Sequence, residues 1–301
     1  MKKFIKNIVL YLLLFLVSTF VLDGIYTLIY SNSIVRNKVQ FVINASPKHY
    51  DAIILGSSRA ENHIVTELFE KKGLKVYNLG MSGDGLCDDS ILLKLFFEKG
   101  NTTKKILFQV DLQFISETSA PAIQATFLPY FTTNQTIYNH YKENAENAFA
   151  LAYLPFYRYC AFDSRIGLRE LLLTLINKKG KFYDQNGFIP LEEKLNSKLK
   201  YNLPARVAKK NKYYDEIVNL CKKNQVQLIS FMAPFCPYVY NGNYFSKLKK
   251  QVPELYDYSG VIKKDSVFAA CGHLNKKGAT VFTAMLLEKH FGIQPCQSSK
   301  L

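Results

Sequence analysis

The chain has 301 residues, 48% of them hydrophobic and 21% charged, which excludes an intrinsically disordered protein. The formal net charge of +15 favours anionic partners such as acidic polymers or phospholipid headgroups. The lysines recur in short pairs without a long basic arm, a zinc-finger spacing or an RNA-binding aromatic motif, so nucleic-acid binding is not expected. Solvated lysines scattered over the surface are the simpler account of the charge, and binding to an anionic envelope polymer is the alternative.

Residues 1–30 predict a membrane anchor. Lysines near the start precede an apolar run from Ile8 to Leu22, which resumes from Ile25 to Tyr30. Counted through Asp23, this run reaches the length of ~20 residues that spans a bilayer. The preceding lysines favour a cytoplasmic N-terminus and an extracytoplasmic main domain. No cleavage site follows, so a retained single-pass anchor is expected rather than a signal peptide; a buried or amphipathic helix of a soluble protein is the alternative.

Beyond a connector at 31–48, the sequence predicts one α/β domain at 49–296 with a helical insertion at about 115–200. Short apolar strands alternate with helices, which is typical of βαβ units around a parallel sheet. The insertion is rich in Tyr, Phe and Asn, and its aromatic side chains either line a groove or form core. The expected strands are Ala52–Leu55, Lys75–Leu79, Lys105–Val110, Gln227–Met232 and Ser266–Ala269; the expected helices are Ala60–Lys72, Asp88–Lys99, Arg165–Ile176, Ala205–Lys223, Phe245–Gln251 and Lys276–His290.

Two segments at opposite ends of this domain carry the residue types of nucleophilic catalysis. The first strand ends in Gly56-Ser57-Ser58-Arg59, as a buried strand does when it delivers a nucleophile to the carboxyl edge of a sheet. The second segment, His273-Leu274-Asn275, stands just before the closing helix. A serine hydroxyl is a poor nucleophile until a base takes its proton, so the sequence predicts that Ser58 meets His273. Helix caps with no catalytic role are the simpler interpretation of both segments.

Two further segments lie at the ends of intervening strands. The first, Asn78-Leu79-Gly80-Met81-Ser82-Gly83-Asp84-Gly85, is a glycine-rich turn; the second is Phe108-Gln109-Val110-Asp111-Leu112-Gln113. With Gly-Ser-Ser-Arg and His-Leu-Asn-x-x-Gly-Ala, the chain resembles the SGNH (GDSL-like) hydrolases, in particular their membrane-anchored, extracytoplasmic branch acting on cell-envelope polymers. The resemblance covers about 51–110 and 227–290.

The resemblance implies a three-layer α/β/α sandwich with a central parallel sheet of the flavodoxin-like SGNH type. It implies Ser58 as nucleophile and His273 as general base. The oxyanion hole would take backbone N–H groups of Ser58 and Gly83. The family's oxyanion Asn is absent, and Gln113 or Asp111 falls nearest its position; Gln113 is the expected third donor.

The chain departs from the family at the triad acid. The residue three positions before His273, usually Asp, is Ala270. Three outcomes are open: a backbone carbonyl orients the imidazole in a Ser–His dyad, Asp265 or Asp257 reaches it from another direction, or the enzyme is degraded. Neutralising the acid of a chymotrypsin-type triad lowers turnover by about 10⁴-fold, so the outcome matters.

The expected function is that of a serine esterase or O-acyltransferase acting on an acetyl ester of a cell-envelope glycan. The alternative is a degraded SGNH-like protein that binds a glycan or scaffolds a polymer-export complex. No cofactor or metal is expected, because the five histidines show no ligand spacing. The six cysteines contain no CxxC pair; Cys236 and Cys271 either pair near one sheet edge or stay buried free thiols, and the others are Cys87, Cys160, Cys221 and Cys296.

Overall fold

A computed structural model describes residues 1–143, 145, 147–192 and 200–293. The chain forms two compact units. The first unit combines Met1–Ala45 with Pro121–Gly180, and the second combines Ser46–Ala120 with Lys181–Leu301. The end of the expected domain at 296 and Cys296 lie outside the described residues.

The helices and strands of the described residues are numbered along the chain. The helices are α1 (Lys2–Ser31), α2 (Lys38–Asn44), α3 (Ser58–His63), α4 (Thr66–Glu70), α5 (Leu86–Glu98), α6 (Pro121–Phe127), α7 (Gln135–Tyr141), α8 (Ala148–Tyr153), α9 (Tyr157–Ala161), α10 (Asp163–Ile166), α11 (Leu168–Leu175), α12 (Lys212–Lys223), α13 (Asn243–Gln251) and α14 (Lys276–Phe291). The strands are β1 (His49–Leu55), β2 (Val76–Asn78), β3 (Thr102–Gln109), β4 (Tyr201–Asn202), β5 (Gln227–Met232), β6 (Val239–Tyr240), β7 (Tyr256–Asp257), β8 (Phe268–Ala270) and β9 (His273–Leu274). Short 3₁₀ helices occupy Leu112–Ile115, Leu128–Tyr130, Tyr183–Gln185 and Asp265–Val267.

The second unit is built on a five-stranded parallel sheet in the order β2-β1-β3-β5-β7. This confirms the predicted α/β class and the predicted parallel sheet. The order is that of a doubly wound sheet, in which the strand order reverses between β1 and β3. Ligands of such sheets bind beyond the carboxyl ends of the strands at this reversal, so the residues after β1 and β3 are the first candidates for a site.

Helices cover both faces of this sheet. On one face Ile54 and Leu107 join a buried cluster with side chains of α3, α4 and α14, such as Phe282. Neighbouring residues of a strand point to opposite faces, and Phe108 stacks on Tyr214 of α12 with ring centroids 6.0 Å apart. The α12 helix in turn packs against α5. The sheet is thus buried on both faces, which explains the continuous apolar runs of its strands.

Three predicted helices differ from the observed ones. The helix expected over Ala60–Lys72 is divided into α3 and α4, because the β-branched pair Ile64-Val65 adopts extended backbone. The helix expected over Arg165–Ile176 is likewise divided, at Gly167. The helix expected from Ala205 begins only at Lys212, where the side chain of Asn211 accepts the N–H groups of Tyr213 and Tyr214.

The expected last strand also differs. The segment Ser266–Ala269 enters a 3₁₀ turn and then β8, which pairs antiparallel with β9 outside the main sheet. The fifth strand of the main sheet is β7, whose two residues are too few for a hydrophobic pattern to reveal.

The first unit contains α1, a helix of 30 residues with a mean hydropathy of 2.4 over its most apolar window. By length and composition this helix is able to cross a membrane. The helix continues through Asp23 and Gly24 without a break. The segment expected as a connector, 31–48, includes α2, and residues 121–180 of the expected insertion fold with α1 and α2 in this unit.

A disulfide joins Cys236, which follows β5, to Cys271, which lies between β8 and β9. The sequence left open whether these two cysteines pair or stay free thiols, and in the structure they pair. The backbone N–H of Cys236 also donates to the carbonyl of Cys271 over 2.8 Å. The small β8–β9 hairpin is therefore fastened to the end of the main sheet.

We expect the disulfide to contribute substantially to stability, because it closes a loop with a sequence separation of 35. Loop-closure entropy gives a contribution of about 4 kcal/mol to the free energy of unfolding. The double variant Cys236→Ser/Cys271→Ser should lose about this much free energy of unfolding and should therefore unfold at a lower urea concentration, measured on the full chain in detergent. Cys160→Ser, at an exposed free thiol, is the control. Equal unfolding midpoints for the double variant and the wild type would contradict the expectation.

Candidate active site

Ser58 and His273, separated by 215 positions in sequence, meet in the second unit. Ser58 Oγ lies 2.8 Å from His273 Nε2, within hydrogen-bonding distance. Ser58 is the first residue of α3, directly after β1, and His273 begins β9. The structure therefore brings together the two residues that the sequence selected, at the carboxyl edge of the parallel sheet.

The turn that presents Ser58 is held by Gln109 at the end of β3. Gly56 has φ +129°, and a Cβ there would approach Gln109 within 2.8 Å, so only glycine fits. Gln109 Oε1 accepts both the backbone N–H of Ser57, over 2.9 Å, and its hydroxyl, over 2.8 Å. Sequence analysis gave Gln109 no role; its place at the end of the neighbouring parallel strand was the available signal.

Arg59, next to Ser58, is almost fully buried and connects α3 to two strand ends. Its Nη1 lies 2.8 Å from Asp111 Oδ2, after β3, and its Nη2 donates to the carbonyls of Ala233 and Pro234, after β5. The guanidinium also lies 3.5 Å from the ring centroid of Phe235. The sequence indicated Asp111 as a residue near the expected oxyanion hole, but it gave no sign of this ion pair.

His273 is positioned through its backbone. It faces Ala270 across the β8–β9 hairpin, and the next N–H, that of Leu274, donates to Nε2 of His63 over 3.0 Å. His63 is the last residue of α3 and is fully buried. Helix α3 thus carries Ser58 at one end and binds the strand of His273 at the other. The role of His63 was not predicted.

No carboxylate orients the imidazole among the residues that the structure describes. Asp265 is exposed and makes no contact with His273, and the Oδ1 of Asp257 accepts from Ser259 instead. Nδ1 of His273 likewise has no hydrogen-bond partner within the described ranges. Of the three open outcomes, the one in which Asp265 or Asp257 reaches the imidazole is not formed in this structure, and the 3₁₀ turn at Asp265 leaves its side chain exposed.

The electrostatic environment keeps His273 neutral. Burial lowers the pKa of His273 below its ordinary value of 6.5, and the positive charge of Arg59 lowers it further. Asp111 opposes this shift without reversing it. A neutral imidazole is the form that accepts a proton, so His273 is prepared to act as a base near neutral pH.

The backbone N–H groups of Ser58 and Gly83 are free of hydrogen bonds to the described residues. The N–H of Ser58 opens α3, where no earlier carbonyl of the helix can accept it. Gly83 has φ +89°, a left-handed conformation suited to glycine, and its N–H has no acceptor in the described part of the chain.

Gln113, the expected third donor, is engaged elsewhere. Its Nε2 donates to Asp84 Oδ1 over 3.0 Å and to Asp89 Oδ2 over 3.1 Å. An amide nitrogen has two hydrogens, so both are committed and neither is available to an oxyanion. In this structure Gln113 supports the glycine-rich turn through Asp84 instead.

Asp84 and Asp89 form a buried acid pair behind the site. Burial raises the pKa of Asp84 well above its ordinary value, and the charges of Asp89 and Asp88 raise it further. Burial also raises the pKa of Asp89 to about 8, although its hydrogen bond with Asp84 opposes this shift. Asp89 Oδ1 accepts the N–H of Gly56 over 3.1 Å. The pair therefore shares a proton near neutral pH and connects the turn that presents Ser58 to the turn that contains Gly83.

No protein-family model matches this chain, and no curated protein matches its sequence.

Replacing Asp84 by Asn should change the pH dependence of stability. A buried acid whose pKa is raised on folding holds a proton that the unfolded chain releases, so stability falls as pH rises from about 4 to about 8. Asn is neutral and nearly isosteric with the protonated acid. The Tm of Asp84→Asn should therefore increase relative to the Tm of the wild type as the pH rises from 5 to 8.

Asp51→Asn is the matched control, because Asp51 is a carboxylate whose pKa is lowered by its hydrogen bond to Lys104. Its Tm difference from the wild type should stay level over the same pH range. An Asp84→Asn difference that is equally level would show that the acid pair carries no shared proton.

Proposed function

We propose that this protein is a serine-dependent acyl-transfer enzyme of the SGNH type, with Ser58 as nucleophile and His273 as general base. The observation that carries the proposal is the distance of 2.8 Å between Ser58 Oγ and His273 Nε2 at the carboxyl edge of the parallel sheet. A serine within hydrogen-bonding reach of a neutral, partly buried imidazole is the basic requirement of this chemistry.

The reaction would proceed in two halves. His273 takes the hydroxyl proton of Ser58 as the oxygen attacks an ester carbonyl, and the developing oxyanion accepts hydrogen bonds from the N–H groups of Ser58 and Gly83. His273 then returns the proton to the departing alcohol, leaving an acyl-serine. Water as acceptor completes an esterase reaction, and a sugar hydroxyl completes an O-acyl transfer.

The missing triad acid favours a Ser–His dyad. An orienting aspartate holds the imidazole in position and stabilises the imidazolium. Here the hydrogen bond from Leu274 to His63 and the disulfide at Cys271 supply the positioning. The charge stabilisation is absent, so we expect slower catalysis than in a complete triad.

The proposed location is extracytoplasmic, with α1 as a retained anchor and its N-terminus in the cytoplasm. The disulfide between Cys236 and Cys271 supports this, because such bonds persist in oxidising compartments. The proposed substrate is an acyl ester, such as an acetyl group, of a cell-envelope glycan. The substrate class rests on the resemblance of the four sequence segments to envelope-modifying SGNH enzymes.

We expect the full chain in detergent to form a covalent adduct with a fluorophosphonate, because this reagent reports an activated serine. Intact-mass analysis should show one adduct on the wild type and none on Ser58→Ala or His273→Ala. Ser57→Ala is the matched control: it removes the neighbouring hydroxyl, which bonds Gln109, and should keep the adduct.

A wild type that is folded, by an intact thermal transition, but forms no adduct would overturn the enzyme proposal. The alternative, a degraded SGNH-like protein that binds an envelope glycan or scaffolds an export complex, would then lead. An adduct that persists in Ser58→Ala would place the activated hydroxyl elsewhere.

Restoring the acid should strengthen the base. Ala270 faces His273 across the hairpin and is exposed, so a longer side chain fits without displacing core. Ala270→Asp should raise the rate of fluorophosphonate labelling by at least about tenfold, a fraction of the ~10⁴-fold attributed to a triad acid. It should also move the acid limb of the pH profile, which lies below 6.5 in the wild type, to higher pH.

Ala270→Asn tests whether charge is the cause, since it has similar size and no charge. We expect it to leave the midpoint of the acid limb unchanged. Equal midpoints and rates for Ala270→Asp and Ala270→Asn would show that a carboxylate at this position does not reach the imidazole.

A further inference from the structure

The first unit exposes large apolar side chains on two short helices. On α11 they recur with helical spacing, at Leu168, Leu172, Leu175 and Ile176, each more than half exposed, and Leu171 is buried on the other side. On α8 and just after it, Phe149, Tyr153 and Leu154 are exposed as well. We call these seven exposed residues the apolar collar. Such a concentration of exposed apolar surface is unusual for a protein surrounded only by water.

The collar is attached to the end of α1. Both oxygens of Asp23 are bound by the segment that follows α8: Oδ1 by Nη2 of Arg158, over 2.5 Å, and Oδ2 by the N–H of Phe156, over 2.7 Å. Tyr26 and Tyr30 of α1 are buried and contact the ring of Tyr159. Helix α1 is therefore a folded part of this unit from Asp23 onward.

Helix α11 also packs against α1. Glu170 on α11 forms an ion pair with Arg36, which follows α1, with Nε and Oε1 2.6 Å apart. The backbone N–H of Gly180 donates to the carbonyl of Val35 over 2.7 Å. These contacts fix α11 close to the C-terminal end of α1.

The level of the collar follows from the length of α1. Its residues up to Leu22 are largely exposed, and the burial of large side chains starts at Tyr26. A hydrocarbon core takes ~20 residues of helix, so a span that begins after Lys6 ends close to Tyr26. Asp23 and the segment bound to it then lie at the far boundary of the core, and the end of α1, with α11, lies within the adjoining headgroup layer.

We propose that the apolar collar lies in the membrane interface on the far side of the bilayer, with its side chains in the boundary between headgroups and acyl chains. The proposal rests on the proposed role of α1 as a retained anchor. Lipid is the favoured occupant because the collar adjoins a helix whose own apolar surface is exposed over its whole span. Exposed basic residues near α11, Arg165, Arg169 and Lys178, suit the phosphate groups of that layer.

The composition of the chain offers a direct test, because it contains no Trp. Single tryptophans introduced by Phe149→Trp and Leu172→Trp report on the collar. Asn139→Trp, at an exposed polar position of α7 in the same unit, is the matched control, and Tyr11→Trp, within the apolar run of α1, is the reference for the bilayer interior. All four sites are exposed, so folding should be preserved, which equal thermal transitions would verify.

Each full-length variant is placed in nanodiscs of phosphatidylcholine and phosphatidylglycerol, with or without bromine on the acyl chains. We expect brominated lipid to reduce the fluorescence of Phe149→Trp and Leu172→Trp by at least about twofold, and that of Asn139→Trp little. Aqueous iodide should quench in the opposite order.

If brominated lipid quenches Tyr11→Trp but the collar tryptophans behave like the Asn139→Trp control, the proposed position of the collar is wrong and the anchor is retained. Failure to quench Tyr11→Trp would overturn the anchor and the collar together. Neither result bears on the fluorophosphonate reaction of Ser58, so failure of the proposed chemistry would be recognised separately.

Discussion

The buried ion pair of Arg59 and Asp111 is the constraint on which the candidate site depends. It joins the residue after Ser58 to the end of β3, and the same guanidinium binds two carbonyls after β5. A buried charge that loses its partner costs about 3–5 kcal/mol, so these three segments cannot move apart independently. The position of Ser58 is thereby fixed by the ends of three neighbouring parallel strands.

The same constraint determines the state of the base. The positive charge of Arg59 lies close enough to His273 to lower its pKa, which opposes formation of an imidazolium. In a complete triad a carboxylate would offset that effect; here, among the residues that the structure describes, it is Asp111 that opposes the shift, and Asp111 is already paired with Arg59. The surroundings of His273 thus favour its neutral imidazole and do not stabilise an imidazolium, which is consistent with a Ser–His dyad.

The features that could be predicted from the sequence are those that a local residue pattern encodes. The alternation of short apolar runs and helices indicated the parallel sheet, and Gly-Ser-Ser and His-Leu-Asn identified Ser58 and His273. The supporting residues could not be found in this way, because Arg59 meets Ala233 and His63 meets Leu274 across more than 170 positions. The sequence indicated Gln113 as an oxyanion donor, whereas in the structure its amide donates to a buried acid pair. These hydrogen bonds depend on tertiary contacts, so no local pattern could reveal them.

The residues of the candidate site and those of the proposed anchor and collar belong to different parts of the chain. Every hydrogen bond described for the candidate site joins residues of the second unit, whereas the anchor and the collar belong to the first. Substitutions in the collar should therefore alter how the protein lies on the membrane without altering the distance between Ser58 and His273. The proposed chemistry and the proposed anchor can therefore be tested independently of each other.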